Sequence, residues 1–431
     1  MRSGTGDSMG MLIGINFLLG CGLLTPWNSL ITAVDFFSAL FPHMDPADAF
    51  AVANFAANLI FLLLQVVWVQ KVSTVKASTC FVLYLGVLGF SLWLAIAFHA
   101  PFSDKDSGRS TESLHFMALV GSVAVAGAAS SGLQSVLYSI AGEMGPTCIA
   151  AFMNGQAFAG LLTCICRILS KVGFAESDPF EALRLSSALY LSSSLLVVCL
   201  AFCGFFAIQR MRAERRAGGR DDPANKIEAE SLIGGGADSD DDAAPAPELA
   251  NFTEPDASTG SLSVWGRMWS SGVGVMFTFW VTLALFPGVT CRIAASQADP
   301  EEWMPVTLIT VFNVGDLLGR MLAGACAGCF SEGALWLLNF LRLAFVPLLL
   351  YLQAGPDSAG GGWVHDAAAV LAVLAMAASS GFLACAFIIK GQLRVASSAD
   401  REVASTLLAL LMTLGLALGA VSALPLRKLV L

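Results

Sequence analysis

The residues best placed to do chemistry in this sequence are charges and amides set inside long apolar runs. Asp316 and Arg320 stand four apart in Phe312-Asn313-Val314-Gly315-Asp316-Leu317-Leu318-Gly319-Arg320, which places them on one face of a helix. Left alone at a bilayer centre, each charge would cost about 3 kcal/mol on insertion scales. Pairing at i, i+4 lowers that cost, and facing a hydrated cavity lowers it further. Charges inside membranes mark substrate or ion paths, although an internal ion pair can also serve only to fix helix packing. Gly315 and Gly319 flank the pair and let another helix approach closely.

Other polar groups share this setting. Leu23-Leu24-Thr25-Pro26-Trp27-Asn28 combines a proline that removes a backbone donor, a flat aromatic face able to stack on a heterocycle, and an amide that both donates and accepts. A tryptophan in such a place also suits a lipid-interface anchor. Gln134, and then Asn154 and Gln156, put amides where only a bound polar solute or a neighbouring helix could satisfy them. Arg342, within Leu341-Arg342-Leu343-Ala344-Phe345-Val346-Pro347, is a further buried charge, expected to hold carbonyls near the cytoplasmic gate. Asn28, Asn154, Gln156 and Arg342 are therefore read as gating or structural residues. The four histidines form no H-E-x-x-H array, and the Cys326/Cys329 pair has no second pair to complete a zinc set. No metal, cofactor or catalytic residue is expected, and no nucleophile and base converge as an enzyme would require.

The elements that must position these groups are membrane helices. The chain has 431 residues, 56% hydrophobic and only 13% charged, where a soluble domain carries about 25% charged residues. Mean hydropathy is +0.73. A span needs about 20 apolar residues, and eleven stretches qualify, near 9–34, 47–70, 77–98, 114–142, 145–169, 185–208, 272–289, 304–329, 333–352, 367–389 and 403–424. The first is too long for a signal peptide's apolar core and is read as a retained helix. Runs of this length and apolarity exclude a membrane β-barrel. The expected class is an all-α polytopic membrane protein, with a six-helix unit over 1–209, a disordered cytoplasmic loop over 210–266 and a five-helix unit over 267–431. The loop opens with Arg210, Arg212, Arg215, Arg216 and Arg220 and continues into Asp238, Asp240, Asp241 and Asp242, a composition that cannot build a core.

Lysine and arginine set the orientation. With the amino terminus cytoplasmic, thirteen basic residues fall on the cytoplasmic side and eight on the other, so the carboxyl terminus is expected outside. The sequon at Asn251 then lies in the cytosol and stays unmodified. Glu228-Ala229-Glu230-Ser231-Leu232-Ile233 fits an acidic dileucine sorting pattern, which keeps an endosomal or lysosome-like membrane open beside the plasma membrane. The net charge of −9 and the lack of a broad basic surface argue against nucleic-acid partners.

With these residues in view, the sequence resembles the equilibrative nucleoside transporter family along almost every span. Pro26-Trp27-Asn28 is similar to that family's L-P-W-N segment. Gln134, Pro146 and Asn154-Gly155-Gln156 resemble its fourth and fifth helices, and Phe286-Pro287-Gly288 its seventh. The run from Phe312 to Arg320 matches F-N-x-x-D-x-x-G-R. Arg342 to Pro347 resembles helix nine, and Gly415 to Ala420 the last helix. The resemblance implies a major-facilitator-like fold of six plus five helices, with alternating access around a central cavity. It implies that Trp27 and Gln134 contact a base, and that Asp316 and Arg320, with Asn313 nearby, contact ribose hydroxyls. That is chemically apt, because a carboxylate accepts from vicinal hydroxyls and a guanidinium donates to their oxygens. Two departures stand out. Thr25 precedes the proline in place of leucine, and Ser379-Ser380-Gly381-Phe382 stands where the family has S-N-G-Y. The expected activity is facilitated transport of nucleosides or nucleobases by a monomer embedded in lipid. A facilitator for another small polar solute such as a sugar, or a proton-coupled symporter, is the alternative.

Overall fold

The computed structural model describes residues 3–68, 74–102, 109–174, 177–218, 261–296, 303–355, 362–395 and 397–428, and nearly all of them are helical. The first half comprises α1 (Ser3–Thr32), α2 (Val34–Leu40), α3 (Pro46–Trp68), α4 (Thr74–Ala97), α5 (Arg109–Met144), α6 (Pro146–Gly173) and α7 (Pro179–Gly218). The second comprises α8 (Ser261–Leu285), α9 (Trp303–Cys326), α10 (Glu332–Leu341), α11 (Phe345–Gln353), α12 (Gly362–Leu393) and α13 (Ser398–Lys428).

Ten apolar helical stretches among the described residues are long enough to cross a membrane, with α10 and α11 together forming one of them over Glu332–Gln353. The eleventh expected span is α3, 23 residues over Pro46–Trp68 and apolar along Ala49–Gln65. Asn54, Asn58 and Gln65 sit inside it, all buried. Their polarity is absorbed inside the protein, since Asn58 accepts from Thr413 at 3.2 Å and Gln65 from Ser135 at 2.8 Å.

Several local features depart from the sequence expectation. α2 is a separate short helix that turns Phe36, Phe37 and Leu40 into the core. The basic segment from Arg210 to Gly218, expected as the start of the loop, continues α7. Arg210 pairs with Glu214 at 2.9 Å one turn on, and Arg212 reaches Glu143 on α5, so ion pairs carry the helix beyond its apolar part. At the loop's other end, Ser261 already begins α8. Residues 219–260, with Asn251 and the Glu228–Ile233 pattern, lie outside the described residues. The ninth span is broken by a single 3₁₀ turn at Arg342–Ala344. Pro347 explains it: proline offers no N–H to the Leu343 carbonyl, and the chain tightens ahead of it.

Two groups of helices result. α1 packs on α6 and α7, and α5 on α3 and α4; in the second half α9 packs on α12, and α8 on α13 and α12. The groups meet along two seams, α6 against α9, and α13 against α5 and α3. The ends of the bundle are laced by ion pairs. At one end Arg212 pairs with Glu143, Arg394 with Glu332 and Arg267 with Asp400. This is the basic face that the charge count assigns to the cytosol. At the opposite end Arg167 meets Asp35 at 3.1 Å, and Lys171 lies 4.4 Å from the Trp303 ring centroid.

Candidate functional site

The site is built at the α6–α9 seam. α9 lies so close to α12 that a Cβ on Gly319 would overlap the Ala378 carbonyl, and one on Gly381 the Asp316 carbonyl. Only glycine permits that backbone contact. It wedges Asp316 and Arg320 into the junction of α9, α12 and α6. Arg320 Nε donates to Asp316 Oδ2 at 2.8 Å, and the two side chains are 7% and 12% exposed. Arg320 Nη1 donates to the Met153 carbonyl of α6 at 3.3 Å. One guanidinium thus holds a carboxylate of its own helix and a backbone oxygen of the other bundle. This is the fork geometry that lysine cannot reproduce.

Met153 links this pair to α5. The Tyr138 hydroxyl donates to Met153 Sδ at 2.9 Å and lies 3.4 Å from Gln156 Oε1. Tyr138 and Met153 did not stand out in the sequence reading. The one available signal was that Tyr138 follows Gln134 by four residues and so shares its helix face.

The other expected residues fall in three places. Asn313 Nδ2 donates to the Ile309 carbonyl at 2.9 Å and faces Cys164 Sγ at 3.4 Å. Its Oδ1 occupies the space a Cβ on Gly160 would need, and Asn28 Nδ2 is close to the same point. Asn28 Nδ2 is buried without a hydrogen-bond partner, as is the Asn154 Oδ1. Trp27 is half-buried and stands edge-on to Phe55, ring centroids 5.2 Å apart, against α3. Gln134 is at the second seam, its Nε2 3.7 Å from Met412 Sδ on α13 and so at the edge of hydrogen bonding. The pair Asp316–Arg320 is therefore in direct contact, Gln156 joins it through Tyr138 and Met153, Asn28 and Asn313 meet at Gly160, and Trp27 and Gln134 have separate neighbours.

Arg342 belongs to one bundle alone. It is 2% exposed and sits midway along Glu332–Gln353. It donates to the Thr278 carbonyl at 2.9 Å, Thr282 Oγ1 at 2.6 Å and Ser379 Oγ at 3.2 Å. The mid-helix position follows from Thr278 and Thr282, the polar stripe on α8 that faces it. Ser380 joins the same cluster through Thr282 at 2.8 Å, so the serines of the departing Ser379-Ser380-Gly381 motif serve Arg342.

Both members of the pair are buried. A groove on the outer flank of α4 and α7, lined by Val75, Ser78, Thr79, Val82, Leu83 and Phe206, is apolar and offers no charge to a polar solute. Among the described residues no three His, Cys, Asp or Glu side chains are grouped to hold a metal ion.

Residues 120–428 match the model of a family described as nucleoside transporter. The chain belongs to the nucleoside transporter family. That match includes Gln134, Asn313, Asp316, Arg320 and Arg342, and it makes this family member a transporter, not an enzyme. The chain is 26% identical over 424 residues to equilibrative nucleotide transporter 8 of Arabidopsis thaliana, covering 97% of this chain and 95% of that one. It is 26% identical over 452 residues to equilibrative nucleoside transporter 2 of Mus musculus, covering 95% of each. Among solved structures it resembles the major facilitator proton:xylose symporter XylE, with a TM-score of 0.61, 12% identity and coverage of 96% of this chain and 88% of that one. It also resembles the major facilitator transporter FucP in its outward conformation, with a TM-score of 0.53, 13% identity and coverage of 97% and 99%. At these identities the solved structures speak for the major-facilitator fold alone.

Proposed function

We propose that this nucleoside transporter carries nucleosides or nucleobases across its membrane by alternating access, with Asp316 and Arg320 as the polar centre of the substrate path. The observation that carries the reading is the Arg320 bridge from Asp316 to the Met153 carbonyl. A buried charge that joins two bundles across a seam must change partners when the seam opens, and a ribose supplies replacement donors and acceptors at that moment. Asp316 then accepts from the hydroxyls and Arg320 donates to their oxygens. Asn313 lies one turn away on the same helix, while Trp27 and Gln134 supply a stacking face and an amide for the base. The basic face is cytosolic in this reading, with the amino terminus inside, the carboxyl terminus outside and the plasma membrane as the site of action; an endosomal or lysosome-like membrane fits the same chemistry.

The test is uptake of radiolabelled adenosine and uracil into oocytes, with surface protein measured in parallel. Asp316→Asn and Arg320→Ala are each expected to lower uptake at least tenfold at equal surface amounts, since each removes a charge-assisted contact. Normal uptake by both variants would remove the site assignment. Competition by sugars but not by nucleosides would instead favour a sugar facilitator, and a steep dependence on external pH would favour proton coupling.

A further inference from the structure

Arg320 crosses the seam, and the surface that receives it on α5 and α6 is more elaborate than a single carbonyl. Its Nη1 lies 3.3 Å from the Met153 oxygen and 3.9 Å from the Met153 sulfur. The same sulfur accepts from the Tyr138 hydroxyl at 2.9 Å. That hydroxyl also lies 3.4 Å from Gln156 Oε1, and its ring stands edge-on to Phe152 at 4.9 Å. Tyr138, Met153 and Gln156 are 1%, 0% and 5% exposed. A phenylalanine would fill this space as well. A buried phenol whose partners are a thioether and a long amide contact gains little from them. The hydroxyl and the Arg320 guanidinium do, however, converge on one sulfur, so the phenol fixes the Met153 side chain on which Arg320 rests.

The cluster also has a definite place along the seam. Tyr138 lies in the last turns of α5, Met153 in the first turns of α6 and Arg320 in the last turns of α9, all towards the basic face. One turn further on, Gln392 of α12 presses on Gly142 of α5, and Ala150 of α6 faces Gly324 of α9.

We propose that Tyr138 is a positioning residue: with Met153 and Gln156 it forms a receptor that seats the Arg320 guanidinium and so closes the seam on the basic face. The arginine that meets substrate is then also the latch of that face. Loosening the receptor shifts the carrier towards the state open to the cytosol. This rests on the reading of Asp316 and Arg320 given above and adds a residue and a direction to it.

The experiment compares influx and efflux kinetics of radiolabelled adenosine for the wild-type chain, Tyr138→Phe and Met153→Leu in oocytes. Both substitutions keep volume, and Met153→Leu keeps the carbonyl. Removing one neutral hydrogen bond shifts a two-state balance about three- to tenfold. Tyr138→Phe should therefore raise the influx KM by about that factor and lower the efflux KM, because fewer empty carriers face outward. Met153→Leu should move both in the same directions. A purely structural role would scale Vmax with surface protein and leave both KM values alone, and that result overturns the proposal. So does a shift of the opposite sign. Asp316→Asn and Arg320→Ala in the same assay keep the two readings apart: normal transport in these sinks the underlying site, whereas their loss alongside unmoved KM values in Tyr138→Phe sinks the latch alone.

Discussion

Two buried arginines in the second half of this transporter differ in partner geometry, and under the proposed mechanism that difference separates function from support. Arg320 is held by one carboxylate and one carbonyl from the opposite bundle, whereas Arg342 is held by three oxygens from α8 and α12 within its own. Hydrogen bonds to a charged group contribute about 1.5–3 kcal/mol each, so Arg342 is a major tie in the second bundle. Arg342→Ala should lower the thermal midpoint of the detergent-solubilised protein by several degrees, with uptake falling through loss of folded protein. Arg320→Ala should abolish uptake with a much smaller shift, because its cross-seam bond must break during every cycle. Equal midpoints for the two variants would contradict this division of labour. The Asp316–Arg320 pair was legible in the sequence because its partners are four residues apart on one helix. The set around Arg342 was not, because Thr278 precedes it by 64 positions on a helix whose neighbour only the fold reveals. Tyr138 was overlooked for the same reason: nothing local says that a phenol on α5 meets a sulfur on α6.

At the level of helices, the closest contact in the site is backbone on backbone, α12 against α9. The Asp316 carbonyl fills the place of a Cβ on Gly381, so Gly381→Ala must push the two helices apart or unseat Asp316. Overpacking of this kind costs about 1–3 kcal/mol, and here it also moves the ion pair. The expected outcome is reduced uptake together with a lower thermal midpoint. Gly86→Ala on α4 is the control, since nothing lies within 4 Å of that position and a helix interior gains from alanine. Retention of full uptake by Gly381→Ala would show that this contact has slack. The positions of the spans were readable from apolar length alone, because lipid demands about 20 residues of it. Their ends were less so. α7 runs nine residues into what composition marked as loop because Arg210 and Arg212 find carboxylates at Glu214 and Glu143, and the seven-residue α2 is too short to register as a span after α1. Within α3 the amides Asn58 and Gln65 accept from Thr413 and Ser135, and one of those contacts joins the two bundles.

For the whole molecule the decisive quantity is relative motion of two bundles about two seams. One seam pairs α6 with α9, and the other sets α13 against α3 and α5 through Asn58–Thr413 and Gln134–Met412. Apart from the Arg320 bridge, both are populated by small or weakly bonded groups, in contrast to the aromatic packing inside the first bundle, where Phe81 stacks on Phe202 and Phe41 on Phe102. Weak seams between firm bundles are what rocking requires, because interfaces that must open cannot be strongly bonded in one state. The six-plus-five division followed from the charged segment between spans in the sequence, but which helices form the seams did not, since apolar periodicity is the same on a lipid-facing and a seam-facing stripe. The α6–α9 seam gives the most direct test of the motion. Near the basic face an ideal Cβ at Gly324 lies 2.9 Å from the Ala150 Cβ, somewhat closer than the 3.5–4.5 Å a disulfide spans, so a small outward relaxation accommodates the bond. Ala150→Cys combined with Gly324→Cys should therefore oxidise readily in the membrane. The locked protein should lose net adenosine transport and recover it on addition of dithiothreitol. Each single variant, carrying the background of eleven native cysteines, should transport normally under the same oxidant. Undiminished flux through a fully cross-linked double variant would mean that this seam stays shut throughout the cycle and that the two bundles part elsewhere.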